Sequence, residues 1–158
     1  MNLHPSAAGT IRRARMHDAR AIHEIIEPFA AADKMLPRPL TEIYESLRDF
    51  LVFDNGRAVV GVVALHFSWE NLAEIRSLAV REASAGAGIG GRLVEACLDE
   101  ARSFDITRVF TLTYRPAFFS RFGFVEVNKE IFPQKIWKDC MHCRFADDCK
   151  EVAMQVEV

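Results

Sequence analysis

Apolar positions along the chain alternate between helical and strand-like spacing. Ile22, Ile25, Ile26 and Phe29 fall at i, i+3, i+4 and i+7, which predicts an amphipathic helix with Asp18 as its N-cap and an end or bend near Pro28. A short first strand is expected ahead of it, over Ile11 to Arg15. Pro37 and Pro39 keep the next segment irregular, and Leu40, Ile43, Tyr44 and Leu47 then return to helical spacing. Phe50 to Phe53 and Ala58 to Phe67 flank Asp54-Asn55-Gly56, a strong hairpin signal because Asn-Gly tolerates the positive φ of a tight turn. The second arm is apolar on both faces and reads as a central strand covered on both sides. Leu72 to Val80 alternates so as to place Leu72, Glu74, Arg76, Leu78 and Val80 on one face, where two charges interrupt an apolar row.

Beyond a glycine cluster, Leu93, Val94, Cys97, Leu98 and Ala101 form a stripe opposed by Arg92, Glu95, Asp99 and Arg102, a second clear helix. Arg108 to Thr113 reads as a strand, Pro116 to Phe122 as a short helix opened by proline, and Phe124 to Val127 as a further strand. Val152 to Val158 alternates and is expected to close the sheet. The fold class is α/β, of the α+β kind, with a mixed sheet.

Composition narrows the picture. The chain has 158 residues, 50% hydrophobic, which fits one domain over residues 11–158 behind a disordered lead at 1–10. Lys plus Arg total 20 against 22 Asp plus Glu, a formal charge of −2 that offers no general attraction for nucleic acid. No apolar run approaches the roughly 20 residues that span a bilayer, and the start lacks a secretory apolar segment, so a cytoplasmic location and no membrane partner are expected. A homodimer is left open. Four cysteines, Cys97, Cys140, Cys143 and Cys149, are read as reduced thiols; the last three, with His142 among them, do not match a zinc-knuckle spacing, and no metal is expected.

The candidate chemistry centres on Gly86, Gly88, Gly90 and Gly91, which lie between the strand ending at Val80 and the helix holding Leu93. Amides of such a turn cluster beside the positive end of a helix dipole and suit phosphate oxygens, since a Cβ would hold the anion away. The other reading is a tight turn and close packing of helix on sheet. A dinucleotide fold would need an acidic residue at the end of the next strand, where the chain has Thr111-Leu112-Thr113-Tyr114-Arg115, and a nucleoside-triphosphate loop would need Gly-Lys-Ser/Thr.

Leu78-Ala79-Val80 with Gly86-x-Gly88-x-Gly90, and the later Phe118-Phe119-Ser120-Arg121-Phe122-Gly123-Phe124, resemble the acetyl-CoA segments of GNAT-type N-acetyltransferases. The resemblance implies a mostly antiparallel central sheet with helices on both faces. It implies acetyl-CoA as co-substrate, held by Leu78, Ala79, Val80, Gly86, Gly88, Ile89, Gly90, Gly91 and Phe119, with an oxyanion donor among the amides near Leu78. Two departures stand out: Ala85 replaces a usual Gln or Arg, for which Arg81 or Arg92 would substitute, and Phe119 replaces a usual tyrosine acid, leaving Tyr114, Ser120 or water.

Acetylation needs a neutral amine, and Glu74, in a segment resembling the one that carries the family's general base, is the candidate base. The competing reading pairs it with Arg76 on the same face. The segments around Met35 to Leu40, Ala73 to Val80, Thr111 to Arg115 and Lys135 to Cys140 are similar to those of short single-domain N-acetylglutamate synthases, which catalyse the first step of arginine biosynthesis. That resemblance implies transfer to the α-amine of L-glutamate in a ternary complex. A substrate with two carboxylates calls for bidentate cations, for which Arg38, Arg76 and Arg115 are the candidates, with Lys135 and Trp137 behind them. The alternatives are another small amine as acceptor, or a non-catalytic acyl-CoA-sensing or partner-binding domain.

Overall fold

The structure is a computed structural model describing residues 7–132 and 150–158. Seven strands form one sheet: β1 (Thr10–Arg13), β2 (Phe50–Asp54), β3 (Val59–Trp69), β4 (Leu72–Val80), β5 (Arg108–Thr113), β6 (Val125–Val127) and β7 (Val152–Glu157). Their order is β1-β2-β3-β4-β5-β7-β6; only β4 and β5 run parallel. Helices α1 (Ala19–Ala31) and α2 (Leu40–Glu45) cover one face, and α3 (Ile89–Ser103) and α4 (Pro116–Ser120) the other. Among the described residues no helix is long and apolar enough to cross a membrane.

Sequence patterns account for these elements through burial. Ile22, Ile25 and Ile26 of α1 bury against Val52, Val62 and Ala64, while Leu93, Val94 and Cys97 of α3 bury against Val63, Leu65 and Ile75. The central strand β3 therefore alternates between two cores, which is why it carries no polar face before His66. Gly61 of β3 is required: a Cβ there would meet Ile89 Cγ2 at 2.9 Å and Leu93 Cδ1 at 3.1 Å, so its absence sets how closely α3 lies on the sheet. At the hairpin, Asn55 accepts from the Arg57 and Ala58 amides and Asp54 from Gly56, whose φ is 91°.

Several expectations are corrected. The first strand stops at Arg13, and Asp18, at the N-cap position of α1 as expected, makes no side-chain cap bond to the helix; its carboxylate accepts from the Arg15 amide and the Arg12 guanidinium instead. Pro28 does not end α1, which runs on to Ala31. The second helix stops at Glu45, with Leu47 in a separate 3-10 turn. β7 does not close the sheet but lies between β5 and β6, leaving β6 at the edge.

Candidate active site

The site starts where two strands part. β4 and β5 pair only through Leu72–Arg108, Ala73–Val109 and Glu74–Phe110. Beyond that point β4 stays with β3 to Val80, while β5 stays with β7 to Thr113. The Ile75 carbonyl, at the fork, accepts from Thr111 Oγ1 at 2.9 Å, a buried bond that satisfies an acceptor where the ladder has opened.

Just past the fork β4 is bulged. Val62 opposes Ala79 but Ala64 opposes Arg76, so β4 spends one residue more than β3 over this stretch. Ser77 adopts φ 56°, a left-handed conformation rare for a residue with a Cβ. The bulge reverses the alternation: Ile75, Leu78 and Val80 pack on the α3 side and Ala79 on the α1 side. The expectation that Leu78 and Val80 share a face with Glu74 and Arg76 is therefore corrected. A bulged residue leaves its backbone groups outside the ladder, which is what an oxyanion donor near Leu78 requires.

The fork opens into a cleft of about 410 Å3 that passes through the sheet. Phe118 and Phe119 line it from the α4 side, Phe29, Lys34 and Met35 from α1 and the connector to α2, and Arg76, Ser77, Leu78, Tyr114 and Arg115 from the parted strands. A second cleft of about 520 Å3 shares Phe29 and Lys34 and reaches Val80, Arg81, Glu82 and Ala85 at the start of the glycine turn. The two together connect that turn with the fork.

The four glycines divide by function. Gly86 and Gly88 both have φ 80°, and a Cβ on either would meet nothing within 4 Å, so the space above them is open. Gly88 ends in the left-handed conformation at the start of α3, and no side chain caps the helix, leaving its first amides for an anion. Gly90 and Gly91 serve packing: their Cβ atoms would meet Phe118 Cζ at 3.5 Å and Phe122 Cζ at 3.0 Å. Ile89 points its side chain into the core, 3% exposed, so its amide alone faces the turn. The packing reading thus holds at Gly91, while the space above Gly86 and Gly88 is open and would accommodate a diphosphate.

Glu74 is buried, 2% exposed, on the face of β4 toward α1 and α2, with Arg76 Nη1 3.8 Å from its Oε1. Its side chain lies one residue behind the cleft lining that begins at Ile75. Arg76 and Arg115 line the cleft; the Arg115 guanidinium lies 5.3 Å from the centre of the Phe118 ring. Arg38 does not line it: buried at 8% exposure, it donates from Nη1 to Glu42 Oε1 at 2.7 Å, an i, i+4 pair readable from spacing alone. Ala79 is core rather than lining. Lys34 was missed, and only its place after the helix end hints at it.

Of the substitutes expected for the residue replaced by Ala85, Arg92 is engaged elsewhere, donating to the Ala7 and Gly9 carbonyls and stacking on Phe53. Arg81 donates to the Val59 carbonyl and stands 3.6 Å from Glu24, at the edge of the second cleft. Phe119 lines the cleft, edge-on to Phe118 and Phe124. Tyr114 lines it also, whereas the Ser120 hydroxyl donates back to the Pro116 carbonyl. Burial pushes the Cys97 thiol far above its ordinary range, so it remains protonated in the core. Lys135, Trp137, Cys140, His142, Cys143 and Cys149 lie outside the described residues.

Comparison with known proteins agrees with this architecture. An uncharacterized N-acetyltransferase of Chlorobaculum tepidum is 44% identical over 150 residues, 95% of this chain and 97% of that protein. An amino-acid acetyltransferase of Mycobacterium tuberculosis is 40% identical over 121 residues, 74% of this chain and 68% of that protein. The crystal structure of Rv2747 from Mycobacterium tuberculosis, in complex with CoA and a second ligand, superposes with a TM-score of 0.81 at 33% identity, covering 94% of this chain and 99% of that one. The acetyltransferase (GNAT) family profile matches residues 16–124. With its parted parallel strands, bulged β4 and uncapped glycine turn, the chain belongs to the acetyltransferase (GNAT) family.

Proposed function

We propose that the chain transfers the acetyl group of acetyl-CoA to the α-amine of L-glutamate. The observation that carries this reading is the charge of the through-sheet cleft: among the described residues Lys34, Arg76 and Arg115 line it against one acidic residue, Glu151, and the second cleft leads from it to the start of the glycine turn. An acceptor with two carboxylates matches that excess of cations. The similarity to an amino-acid acetyltransferase of Mycobacterium tuberculosis supports the substrate class.

In this reading the acetyl thioester reaches the fork from the glycine turn and the amine from the α1 side, the side that Glu74 faces. Glu74 takes a proton from the ammonium group, whose nitrogen lone pair then forms the new bond to the acetyl carbon. The bulged backbone at Leu78 donates to the carbonyl oxygen as negative charge develops there. As the carbon–sulfur bond breaks, the nitrogen gives up its second proton and the thiolate takes up one at the Tyr114 end of the cleft, so that the amide and the free thiol form together and only the proton on Glu74 is released. Arg76 Nη1 stands 3.8 Å from the Glu74 carboxylate, beside the path of the amine.

The test is mass-spectrometric identification of the product formed from acetyl-CoA and a mixture of free amino acids. N-acetylglutamate is expected. A different acetylated amine would move the substrate while keeping the reaction, and no product from any amine would favour an acyl-CoA-sensing domain. Glu74→Gln is expected to lower kcat by about a hundredfold or more; unchanged turnover would remove Glu74 as base.

A further inference from the structure

We propose that His66 and Asp49 carry protons between Glu74 and solvent. The proposal rests on Glu74 being the base. A base removes one proton per turnover and must release it before the next, yet Glu74 is 2% exposed. The registers Leu65–Ile75, His66–Glu74 and Phe67–Ala73 are regular, so His66 stands directly across from Glu74 on the same face of the sheet. Residues so opposed have Cβ atoms about 5 Å apart, a span that one water bridges between an imidazole and a carboxylate.

His66 is equipped for the task. Its Nδ1 is 2.7 Å from Asp49 Oδ2, in the 3-10 turn Leu47–Asp49 that precedes β2. That bond fixes the ring and leaves Nε2 to exchange protons. Both side chains reach solvent, His66 at 32% and Asp49 at 26% exposure, so the pair spans from the buried carboxylate to the surface. Among the described residues, the charged groups facing His66 are Asp49, Glu74 directly across and Arg76 diagonally across on β4. Asp49 holds the ring through Nδ1, and Arg76 stands 3.8 Å from the Glu74 carboxylate at the inner end of the relay. His66 acts on the reaction through Glu74, which makes it a positioning and proton-exchange residue.

The test compares wild type, His66→Gln, Asp49→Asn and Glu74→Gln in steady state from about pH 6 to about pH 9, with added imidazole as the probe. The expected result for His66→Gln is a kcat about tenfold to a hundredfold lower, steepest at low pH, with both KM values within about twofold and kcat rising with imidazole concentration. Wild type is expected to be indifferent to imidazole. Asp49→Asn, which keeps the ring, should lower kcat in the same direction by a smaller factor. Wild-type kcat in His66→Gln, a loss that imidazole does not relieve, or a loss accompanied by a matching rise in KM would overturn the relay. Full turnover in Glu74→Gln would instead show that the base itself is misassigned.

Discussion

The half of the cleft that faces α3 and the half that faces α1 are built from different material. On the α3 side, beyond the cleft wall of Phe118 and Phe119, the contacts available to a ligand are backbone amides, at Gly86, Gly88 and the first turn of α3, all within one short stretch of chain. On the α1 side they are side chains drawn from the α1–α2 connector, β4 and the end of β5: Lys34, Arg76 and Arg115. A backbone cradle depends on φ angles that a few glycines permit and is indifferent to the neighbouring side chains. A cationic pocket depends on segments far apart in sequence being brought together by the whole sheet. The first is generic to a diphosphate; the second decides which acceptor is used.

The largest expected effect breaks the cradle alone. Gly88→Val places a branched side chain at φ 80° and fills the open space above the turn. The KM for acetyl-CoA should rise about a hundredfold, the equivalent of one or two charge-assisted hydrogen bonds, while the KM for the acceptor stays within about twofold. Gly90→Ala is the control, because its Cβ would make ordinary contact with Phe118 at 3.5 Å, and it should change neither KM by more than about twofold. Equal losses in both variants, measured by steady-state kinetics, would mean that the four glycines act as one packing unit.

The acceptor half should respond in the opposite sense. Arg115→Ala is expected to raise the KM for glutamate about tenfold and to leave that for acetyl-CoA nearly unchanged. A rise confined to acetyl-CoA would place Arg115 on the cofactor side, where its stacking on Phe118 also reaches.

The same contrast explains what could be read from sequence. The glycine turn, the α3 stripe and the position of Glu74 are local patterns, and each is where spacing predicts it. The bulge is not legible: Ser77 holds φ 56° without the glycine that would announce it, because pairing with β3 on either side imposes the conformation. That one residue reversed the assigned face of Leu78 and Val80. Arg38 is assigned to the pocket from its segment, whereas the structure pairs it with Glu42 at 2.7 Å, outside the cleft lining. Lys34 and His66 become functional candidates only once sheet register and connector path are known.

A smaller effect is expected at the fork that separates the halves. Thr111→Val keeps the shape of the side chain but removes the donor to the Ile75 carbonyl. Leaving that buried acceptor unsatisfied should cost about 1–2 kcal/mol of stability by chemical denaturation. Because the fork holds β4 and β5 apart, kcat should fall about threefold at constant folded fraction; stability loss without any change in kcat would make Thr111 a structural residue only.

The smallest effect concerns how α1 is anchored, and with it the acceptor half. Asp18, buried at the start of α1, accepts from Arg12 of β1 at 2.7 and 3.0 Å, and Arg12 reaches Asp54 of β2 at 3.2 Å. The bonds from the Arg12 guanidinium hold the Asp18 carboxyl below its ordinary value of 3.8, against the opposing effect of burial. A carboxyl depressed in the folded state contributes stability that is fully present above the unfolded value and is lost as pH falls through the folded one. The melting temperature of wild type should therefore decline on acidification below about pH 4, and Asp18→Asn should be less stable near neutrality with a shallower acid decline. Hydrogen exchange should show α1 loosening in acid before α3, whose core contacts through Leu93, Val94 and Cys97 are apolar; simultaneous loosening of both helices would mean that the two halves of the cleft are one cooperative unit.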